Sequence, residues 1–320
     1  MNSRNPTARK FRSNIAISVY DFFKKIPDEE TARTYLENQR WNNSIKCPRC
    51  DSVKISRWSR NQGWHRCNNC GKPFNVKTNT IFEHSKIPLR KWLFASYLIV
   101  TARKGVSSMQ ISKELGITQK SAWFMCHRIR AAMSNGKYRY LLKGVVECDE
   151  TYIGGKEKNK HGIDKLKQGR GVVGKIPVFG VIERGGKVIS VVVNDTSSEM
   201  LQGLVGNIVE KHSIVNTDES RSYIGLSKRG YGHQKVNHSA RVFVDKMAYT
   251  NGIESVWALL KRGYYGTFHK FSKKHLQNYV DEFDFRWNQA NCKYPTMERI
   301  ESLAVGCWGK RLSYAKLIGK

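Results

Sequence analysis

The chain has 320 residues, of which 56 are Lys or Arg and 26 are Asp or Glu, so its formal net charge at pH 7 is +30. This excess of positive charge favours a polyanionic partner and argues against a carrier of acidic ligands or an enzyme of neutral metabolites. Hydrophobic residues make up 40% of the chain and aromatic ones 11%, which is enough for a buried core and excludes a disordered basic tail protein.

The positive charge is unevenly distributed along the chain. Residues 1–140 hold 27 basic and 8 acidic side chains, a net charge of +19, and residues 141–320 hold 29 and 18, a net charge of +11. The chain starts with polar residues, and its longest apolar run, residues 92–100, is too short to cross a bilayer. We therefore expect a cytoplasmic protein with no membrane partner, whose cysteines are metal ligands or free thiols.

A helical segment over residues 1–45 precedes a cysteine-rich region at 46–85. Two residues separate the cysteines within each of two pairs, and sixteen residues separate the pairs: Cys47, Cys50, Cys67 and Cys70. Four thiolates at this spacing can surround one structural Zn²⁺ and leave no position for a catalytic water. Short strands at 53–58, 63–67 and around Phe74 complete the pattern of a zinc ribbon. Its basic and aromatic residues suit a DNA contact, but zinc ribbons also bind proteins, and both roles stay open.

Residues 86–140 are predicted to be helical. A helix over 89–103 is followed by helices over 108–115 and 119–133, which are joined by a short turn containing Gly116. This order matches a helix-turn-helix DNA-binding region, and an ordinary helical bundle is the alternative. In a helix-turn-helix the start of the last helix would reach base edges and a later arginine would reach a phosphate, which singles out Thr118, Gln119, Lys120, Ser121 and Arg128.

After residue 141 the pattern changes to strands, predicted at 145–152, 177–183, 187–194 and 213–217, with a helix at 199–210. The order predicts an α/β domain with a mixed sheet flanked by helices. Asp149 lies near the end of the first strand and Asp218 directly follows the last, so the two carboxylates can converge at one edge of the sheet. Their neighbours Glu150 and Glu219 should point to the opposite side.

A further helix is predicted from residue 251. Asn251 and Glu254 lie on one of its faces, and Lys261 follows two turns later. Asp149, Asp218 and Glu254 together could bind two Mg²⁺ or Mn²⁺ ions, because such ions take a few carboxylates and complete their shell with water and phosphate oxygens.

Several motifs together resemble the DDE transposases of insertion sequences that carry an N-terminal zinc ribbon. The resemblance runs in order over about residues 20–290. Its motifs are the cysteine pairs, residues 87–92, Glu147 to Lys156, residues 178–186, Thr217-Asp218-Glu219, His233 with residues 236–238, residues 250–254 with 261–263, and residues 272–276 and 285–288.

The resemblance implies a ribonuclease H-like domain over 141–290 that cuts transposon ends and joins them to target DNA with divalent metal, followed by a C-terminal tail over 291–320. It implies double-stranded DNA as the partner, a homo-oligomer on DNA and a bacterial, nucleoid-associated location. Asp149 and Asp218 match the family's two aspartates. Glu254 is preferred as the third ligand because Lys261 accompanies it, and Asn251 is the alternative. Tyr249 stands where many relatives have His, a departure that could reduce activity.

Other functions remain compatible with the sequence. A regulator could bind DNA through its first half and dimerise through its second, and a structure-selective nuclease could share the catalytic fold. The glycine-rich and basic loop at 156–175 is either a solvated connection or a clamp on the DNA backbone, and the clamp is the preferred interpretation.

Overall fold

A computed structural model gives the fold of the chain. It describes residues 16–42, 44–57, 62–134, 140–155, 160, 161, 163, 165, 166, 171–236, 250–291 and 294–319, without the side chains of 289–291. Two compact units are formed, one by Met1–Asn135 with Lys293–Lys320 and the other by Gly136–Cys292. In the described parts of the chain, every helix is too short or too polar to cross a membrane.

The helices and strands have the following bounds. The helices are α1 (Val19–Lys25), α2 (Glu29–Trp41), α3 (Leu89–Thr101), α4 (Ser108–Leu115), α5 (Gln119–Met133), α6 (Ser198–Ile208), α7 (Asn251–Gly263), α8 (Leu276–Asn291), α9 (Thr296–Val305) and α10 (Tyr314–Ile318). The strands are β1 (Ile55–Arg57), β2 (Trp64–Cys67), β3 (Pro73–Asn75), β4 (Val145–Ile153), β5 (Ile176–Glu183), β6 (Val188–Val192), β7 (Ile214–Thr217) and β8 (Gly232–Lys235).

In the first unit, capping residues determine where the helices begin. The Ser107 hydroxyl accepts the Gln110 N–H at 3.1 Å at the start of α4, and the Thr118 hydroxyl accepts the Ser121 N–H at 3.2 Å at the start of α5. Gly116 ends α4 in the left-handed conformation, with φ 58°. The predicted bounds 108–115 and 119–133 are confirmed.

The C-terminal residues are not a tail, contrary to the prediction for 291–320. Helices α9 and α10 belong to the first unit, where the Arg299 guanidinium donates to the carbonyl oxygen of Val100 at 2.9 Å. Ile300, Leu303 and Leu317 are buried. These apolar residues recur at helical spacing, so the segment has its own face to bury and packs back on the helices that precede it in the chain.

The second unit contains a five-stranded mixed sheet in the order β6-β5-β4-β7-β8. The first three strands of this order are antiparallel, whereas β4, β7 and β8 are parallel. One face packs on α6 and the other on α7 and α8. The predicted mixed sheet flanked by helices is thus confirmed, and β8 is a strand that was not predicted.

Side chains of α8 cover the free edge of β6. The N–H groups of Val188, Ser190 and Val192 donate to side-chain oxygens of α8 at 2.7, 2.7 and 2.8 Å. The acceptors are Asn288, Asp284 and Gln277. An edge strand with open N–H groups invites pairing with another chain, so these contacts close one end of the sheet.

Candidate active site and metal centre

The four cysteines form a compact thiol cluster in the first unit. All four sulfur atoms lie within 4.8 Å of one another, with 3.7 Å between Cys47 and Cys70 and 3.6 Å between Cys50 and Cys67. A tetrahedron with Zn–S bonds of about 2.3 Å has edges of about 3.8 Å, so the sulfur positions fit one Zn²⁺ ion. These separations are far longer than a disulfide bond of about 2 Å.

Each cysteine pair sits on a turn whose backbone supports a thiolate. The N–H groups of Asp51 and Gly71 close the two turns on the carbonyl oxygens of Cys47 and Cys67, both at 2.9 Å, and Asp51 and Gly71 have positive φ angles of 55° and 69°. The backbone N–H of Cys70 donates to the Cys67 sulfur at 3.5 Å and is the main reason why the pKa of Cys67 is lowered to about 6. A thiol of this kind is readily deprotonated for zinc binding.

Asp149 lies on β4, and Asp218 directly follows the adjacent parallel strand β7. Strand β4 pairs with β7 so that Glu147 stands opposite Asn216, and Asp149 and Asp218 each follow two residues later. The pKa of Asp149 is raised to about 6, mainly by burial and also by the negative charges of Asp218 and Glu254, against opposing hydrogen bonds. The two aspartates and Glu254 therefore share one electrostatic environment.

Trp257 on α7 orients the Asp149 carboxylate. Its indole N–H donates to Oδ2 of Asp149 at 2.9 Å. The ring passes directly over Gly180 on β5, where a Cβ atom would lie 2.5 Å from the indole. Gly180 pairs with Asp149 in the sheet, so the absence of a side chain at this position lets the indole reach the carboxylate.

Glu147 connects the same strand to the start of α7. Its side chain is 2% exposed, and Oε2 accepts the backbone N–H of Ile253 at 3.1 Å. Arg184 lies 3.8 Å from Oε1. Burial raises the pKa of Glu147, against the N–H groups of Ile253 and Gly252 and the charge of Arg184, which lower it. A Cβ atom on Gly252 would lie 2.7 Å from Oε2, so glycine is needed for this close approach.

The remaining candidates on α7 are exposed. Asn251 is the first residue of the helix, and Glu254 and Lys261 stand on its solvent side, three residues before and four residues after Trp257. This spacing places Glu254 and Lys261 on the helix face next to the indole that contacts Asp149. In the described part of the chain, only the cysteines form a group of three or more potential ligands within 4.8 Å, so the carboxylates stand further apart. The donor type nevertheless fits Mg²⁺, which binds carboxylate oxygens and completes its shell with water.

Glu150 points away from this cluster, as the strand alternation predicted. It accepts a short hydrogen bond from Tyr223, a buried residue of the core on the α6 side of the sheet. Burial raises the pKa of Glu150 to about 7.

The Asp218 side chain is oriented by a nearby backbone group, because its Oδ1 accepts the N–H of Ser220 at 2.9 Å. Next to it, the hydroxyl of Thr217 is 2.9 Å from Nε2 of His233, on strand β8.

The predicted DNA-contacting residues differ in their exposure to solvent. Thr118, Gln119 and Lys120 are exposed at the start of α5, and Ser121 is half-buried. Arg128 is only 6% exposed, and its guanidinium donates to the carbonyl oxygens of Leu312 and Glu83 at 3.1 and 2.8 Å. The prediction that Arg128 touches a phosphate is therefore wrong, because the side chain is used to hold two loops together.

Two residues of the site, Trp257 and Glu147, are not among the site residues predicted from the sequence. The one signal in the sequence was that Glu147 is acidic and shares a strand face with Asp149. Tyr249 and residues 237–238 lie outside the described residues, as does half of the basic loop at 156–175.

Comparison with known proteins gives consistent matches over most of the chain. The ISXO2-like transposase domain matches residues 141–288, and the transposase zinc-ribbon domain matches residues 27–73. An uncharacterized protein in transposable element ISH50 of Halobacterium salinarum is 28% identical over 275 residues, which are 82% of this chain and 92% of that protein. An uncharacterized transposase-like protein of Haemophilus influenzae is 35% identical over 107 residues, 33% of this chain and 85% of that one.

Similarity to solved structures is weaker. The Mos1 transposase paired-end complex with the left transposon end is 13% identical, with a TM-score of 0.29 over 71% of this chain and 82% of that one. A TM-score this low does not establish a shared fold.

Proposed function

Because this chain belongs to the insertion-sequence transposases that combine a zinc ribbon with an ISXO2-like transposase domain, we propose that Asp149, Asp218 and Glu254 catalyse its reaction on DNA. Membership of this family makes the protein a DNA transposase. The proposed reaction is cleavage at the ends of the element and transfer of the freed strand into target DNA.

The observation that carries the assignment is the pairing of β4 with β7. The parallel register sets Asp149 beside Asp218, and the charges of both Asp218 and Glu254 act on Asp149. Like charges are costly to bring together in a partly buried place, and a divalent cation would compensate them. The strand order, with three antiparallel strands followed by two parallel ones, is the arrangement that supports a ribonuclease H-like fold for this unit.

The carboxylates would hold two Mg²⁺ or Mn²⁺ ions. Bound there, the ions would supply activation of the attacking oxygen and stabilisation of the leaving one. Trp257 keeps the Asp149 carboxylate oriented, and Glu147 keeps the start of α7 against β4. Lys261, on the same side of α7, would bind a phosphate of the DNA.

Glu254 is the preferred third ligand. Its charge contributes to the raised pKa of both Asp149 and Glu147, which puts its carboxylate within electrostatic range of the site. Asn251, three residues earlier on the helix, remains the alternative and offers a neutral amide. A carboxylate is the harder and more strongly binding ligand for Mg²⁺.

The first unit would bind double-stranded DNA. The helices α4 and α5 with their glycine turn would act as a helix-turn-helix, whose exposed first turn carries Thr118, Gln119 and Lys120. The cysteine cluster would hold a structural zinc ion. We also propose a homo-oligomer on DNA, because two ends of one element must be brought together for transposition.

A cleavage assay tests the catalytic assignment. The substrate is a labelled duplex carrying the inverted repeats that flank the coding region, incubated with Mg²⁺. Asp149→Ala, Asp218→Ala and Glu254→Ala should each abolish cleavage and strand transfer, since each removes a ligand. Glu219→Ala is the matched control, because Glu219 is exposed next to Asp218 and should be dispensable.

The outcomes separate the competing functions. Cleavage that persists in Asp149→Ala or Asp218→Ala would overturn the catalytic assignment. Cutting without joined products would indicate a nuclease, and end binding without cutting in the unsubstituted protein would indicate a regulator. If Asn251→Ala is inactive while Glu254→Ala retains activity, the third ligand is Asn251.

A further inference from the structure

The C-terminal residues 306–319, here called the C-terminal strap, follow helix α5 along its length. At the last turn of α5, Gly306 packs so closely on Ala132 that a Cβ atom would lie 2.3 Å from its carbonyl oxygen. Lys310 donates its ammonium to the carbonyl oxygen of Ala131 at 2.6 Å. The strap thus begins by closing the C-terminal end of α5.

The strap then continues toward the first turn of α5. In the middle of the helix, the Arg128 guanidinium donates to the carbonyl oxygen of Leu312. Closer to the first turn, the ring of Tyr314 meets Phe124 edge-on with 5.4 Å between ring centroids, and the Lys120 ammonium lies 5.0 Å from the Tyr314 centroid. The strap and the predicted DNA-reading turn are therefore in direct contact.

This packing limits what α5 can present to DNA. Every residue from Ala122 to Met133 is buried or half-buried, and exposed side chains of the helix occur only before Ser121. A recognition helix normally contributes both base-reading residues near its start and flanking phosphate contacts. Since Arg128 is buried, the flanking phosphate contacts must come from other residues.

The strap carries exposed cations at the required place. Arg311 remains 57% exposed although it pairs with Glu83 at 3.3 Å, and Lys316 is exposed in the first turn of α10. Arg311 and Lys86 are also among the residues that line a cavity of about 370 Å³ together with Tyr314 and Ser121. Positive side chains gathered around a base-reading turn complement the phosphates on either side of a DNA groove.

We propose that the C-terminal strap and the first turn of α5 form one DNA-binding surface, in which Arg311 and Lys316 bind phosphates of the duplex. The inference rests on the proposed DNA-binding role of the first unit. Lys120 connects the two parts of the surface, because its ammonium lies over the ring of Tyr314. The strap takes over the phosphate contacts for which the buried Arg128 is unavailable.

The test measures how DNA affinity depends on salt. Full-length protein and the double variant Arg311→Ala/Lys316→Ala are titrated by fluorescence anisotropy against a duplex with the terminal repeat and one with a scrambled sequence. Each phosphate contact contributes about 0.9 to the slope of log affinity against log salt, so the double variant should lose about 1.8 from the slope on both duplexes. The conservative variant Arg311→Lys/Lys316→Arg should restore it.

A matched control is Lys24→Ala/Lys25→Ala, which removes two exposed charges from α1 in the same unit. Its slope should stay at the wild-type value. The proposed DNA-binding surface is wrong if the strap variant keeps the wild-type slope or loses affinity only for the terminal repeat. It is also wrong if the slope of the control falls as much as that of the strap variant. A wild-type protein that binds neither duplex would overturn the DNA-binding role itself, which distinguishes the two failures.

Discussion

Asp149 accepts the indole hydrogen bond of Trp257 in a place that disfavours its charge. Its pKa is raised to about 6 by burial and by the nearby Asp218 and Glu254, although hydrogen bonds from the backbone N–H of Glu150 and from the indole of Trp257 lower it. At neutral pH the carboxylate is therefore still mainly ionised and oriented through Oδ2. Without the indole donor, both its orientation and its readiness to bind a cation would suffer.

Replacing Trp257 by Phe should reduce cleavage without unfolding the protein. The substitution keeps an aromatic ring beside Gly180 but removes the donor to Asp149. Hydrogen bonds to charged groups are worth about 1.5–3 kcal/mol, which corresponds to roughly a 10- to 100-fold lower cleavage rate. The rate is measured on a labelled transposon end at fixed Mg²⁺, with the melting temperature recorded in parallel.

Trp287→Phe provides the control for this prediction. Trp287 is partly buried in the same core cluster, and its indole N–H has no hydrogen-bond partner among the described residues. The same substitution there loses apolar contact but no hydrogen bond. Equal losses of activity in the two variants would show that packing, and not the donor to Asp149, explains the effect.

At the scale of elements, the site depends on how α7 is attached to β4. Glu147 on the strand accepts N–H groups from the first turn of the helix, and Trp257 about one turn later reaches back to the strand. A helix N-terminus attracts negative charge, so a buried carboxylate at this end is both satisfied and stabilising. The two contacts together set the position of Glu254 relative to Asp149.

Glu147→Ala should therefore weaken metal binding as well as stability. Removing the acceptor leaves the helix N–H groups of Gly252 and Ile253 without this partner, at a cost of about 1–3 kcal/mol in the free energy of unfolding. The concentration of Mg²⁺ needed for half-maximal cleavage should rise as Glu254 loses its fixed position. Urea unfolding and a Mg²⁺ titration of the cleavage rate measure the two effects.

Glu147→Gln separates positioning from charge. Glutamine keeps an acceptor oxygen of the same reach, so it should recover most of the stability and a nearly normal Mg²⁺ requirement. If Glu147→Gln requires as much Mg²⁺ as Glu147→Ala, the charge of Glu147 matters directly and the positioning role is wrong. If neither variant changes the Mg²⁺ requirement, Glu147 has only a structural role.

Local signals in the sequence predicted most helices and strands correctly. Ser107, Gly116 and Thr118 mark the ends of α4 and α5 because capping uses side chains close by in the chain. The prediction that Asp149 lies near the end of a strand is wrong, because it stands in the middle of β4. Asp218 directly follows β7, and the pairing of β7 with the first part of β4 brings the two residues to the same level of the sheet. By contrast, β8 is short, polar and mostly exposed, so it lacks the alternation that identifies a strand.

Contacts between distant segments could not be predicted from the sequence. Nothing in the helical period of α7 specifies that Trp257 meets Asp149, 108 residues away. Likewise, an arginine on a helix looks the same in the sequence whether it reaches a phosphate or, like Arg128, two carbonyl oxygens. These features depend on tertiary packing, which one sequence does not specify.

At the scale of the whole molecule, the two units differ in net charge, and the difference is larger because the C-terminal residues belong to the first unit. Met1–Asn135 with Lys293–Lys320 holds 31 basic and 10 acidic residues, a net charge of +21, whereas Gly136–Cys292 holds 25 and 16, a net charge of +9. The excess positive charge thus resides mainly in the unit with the cysteine cluster and α5. Binding and cleavage should therefore be separable.

The variant Asp149→Asn/Asp218→Asn should bind transposon ends as tightly as the unsubstituted protein, or more tightly, while failing to cut them. DNA binding depends mainly on the first unit, whose net charge is +21, and the substitutions remove negative charges that would repel phosphate. Anisotropy titrations without added Mg²⁺ measure the affinity, and chelators are omitted because they would also remove zinc from the four cysteines. A loss of affinity of tenfold or more would show that the carboxylates themselves are needed to hold DNA, and the separation of binding from cleavage would then fail.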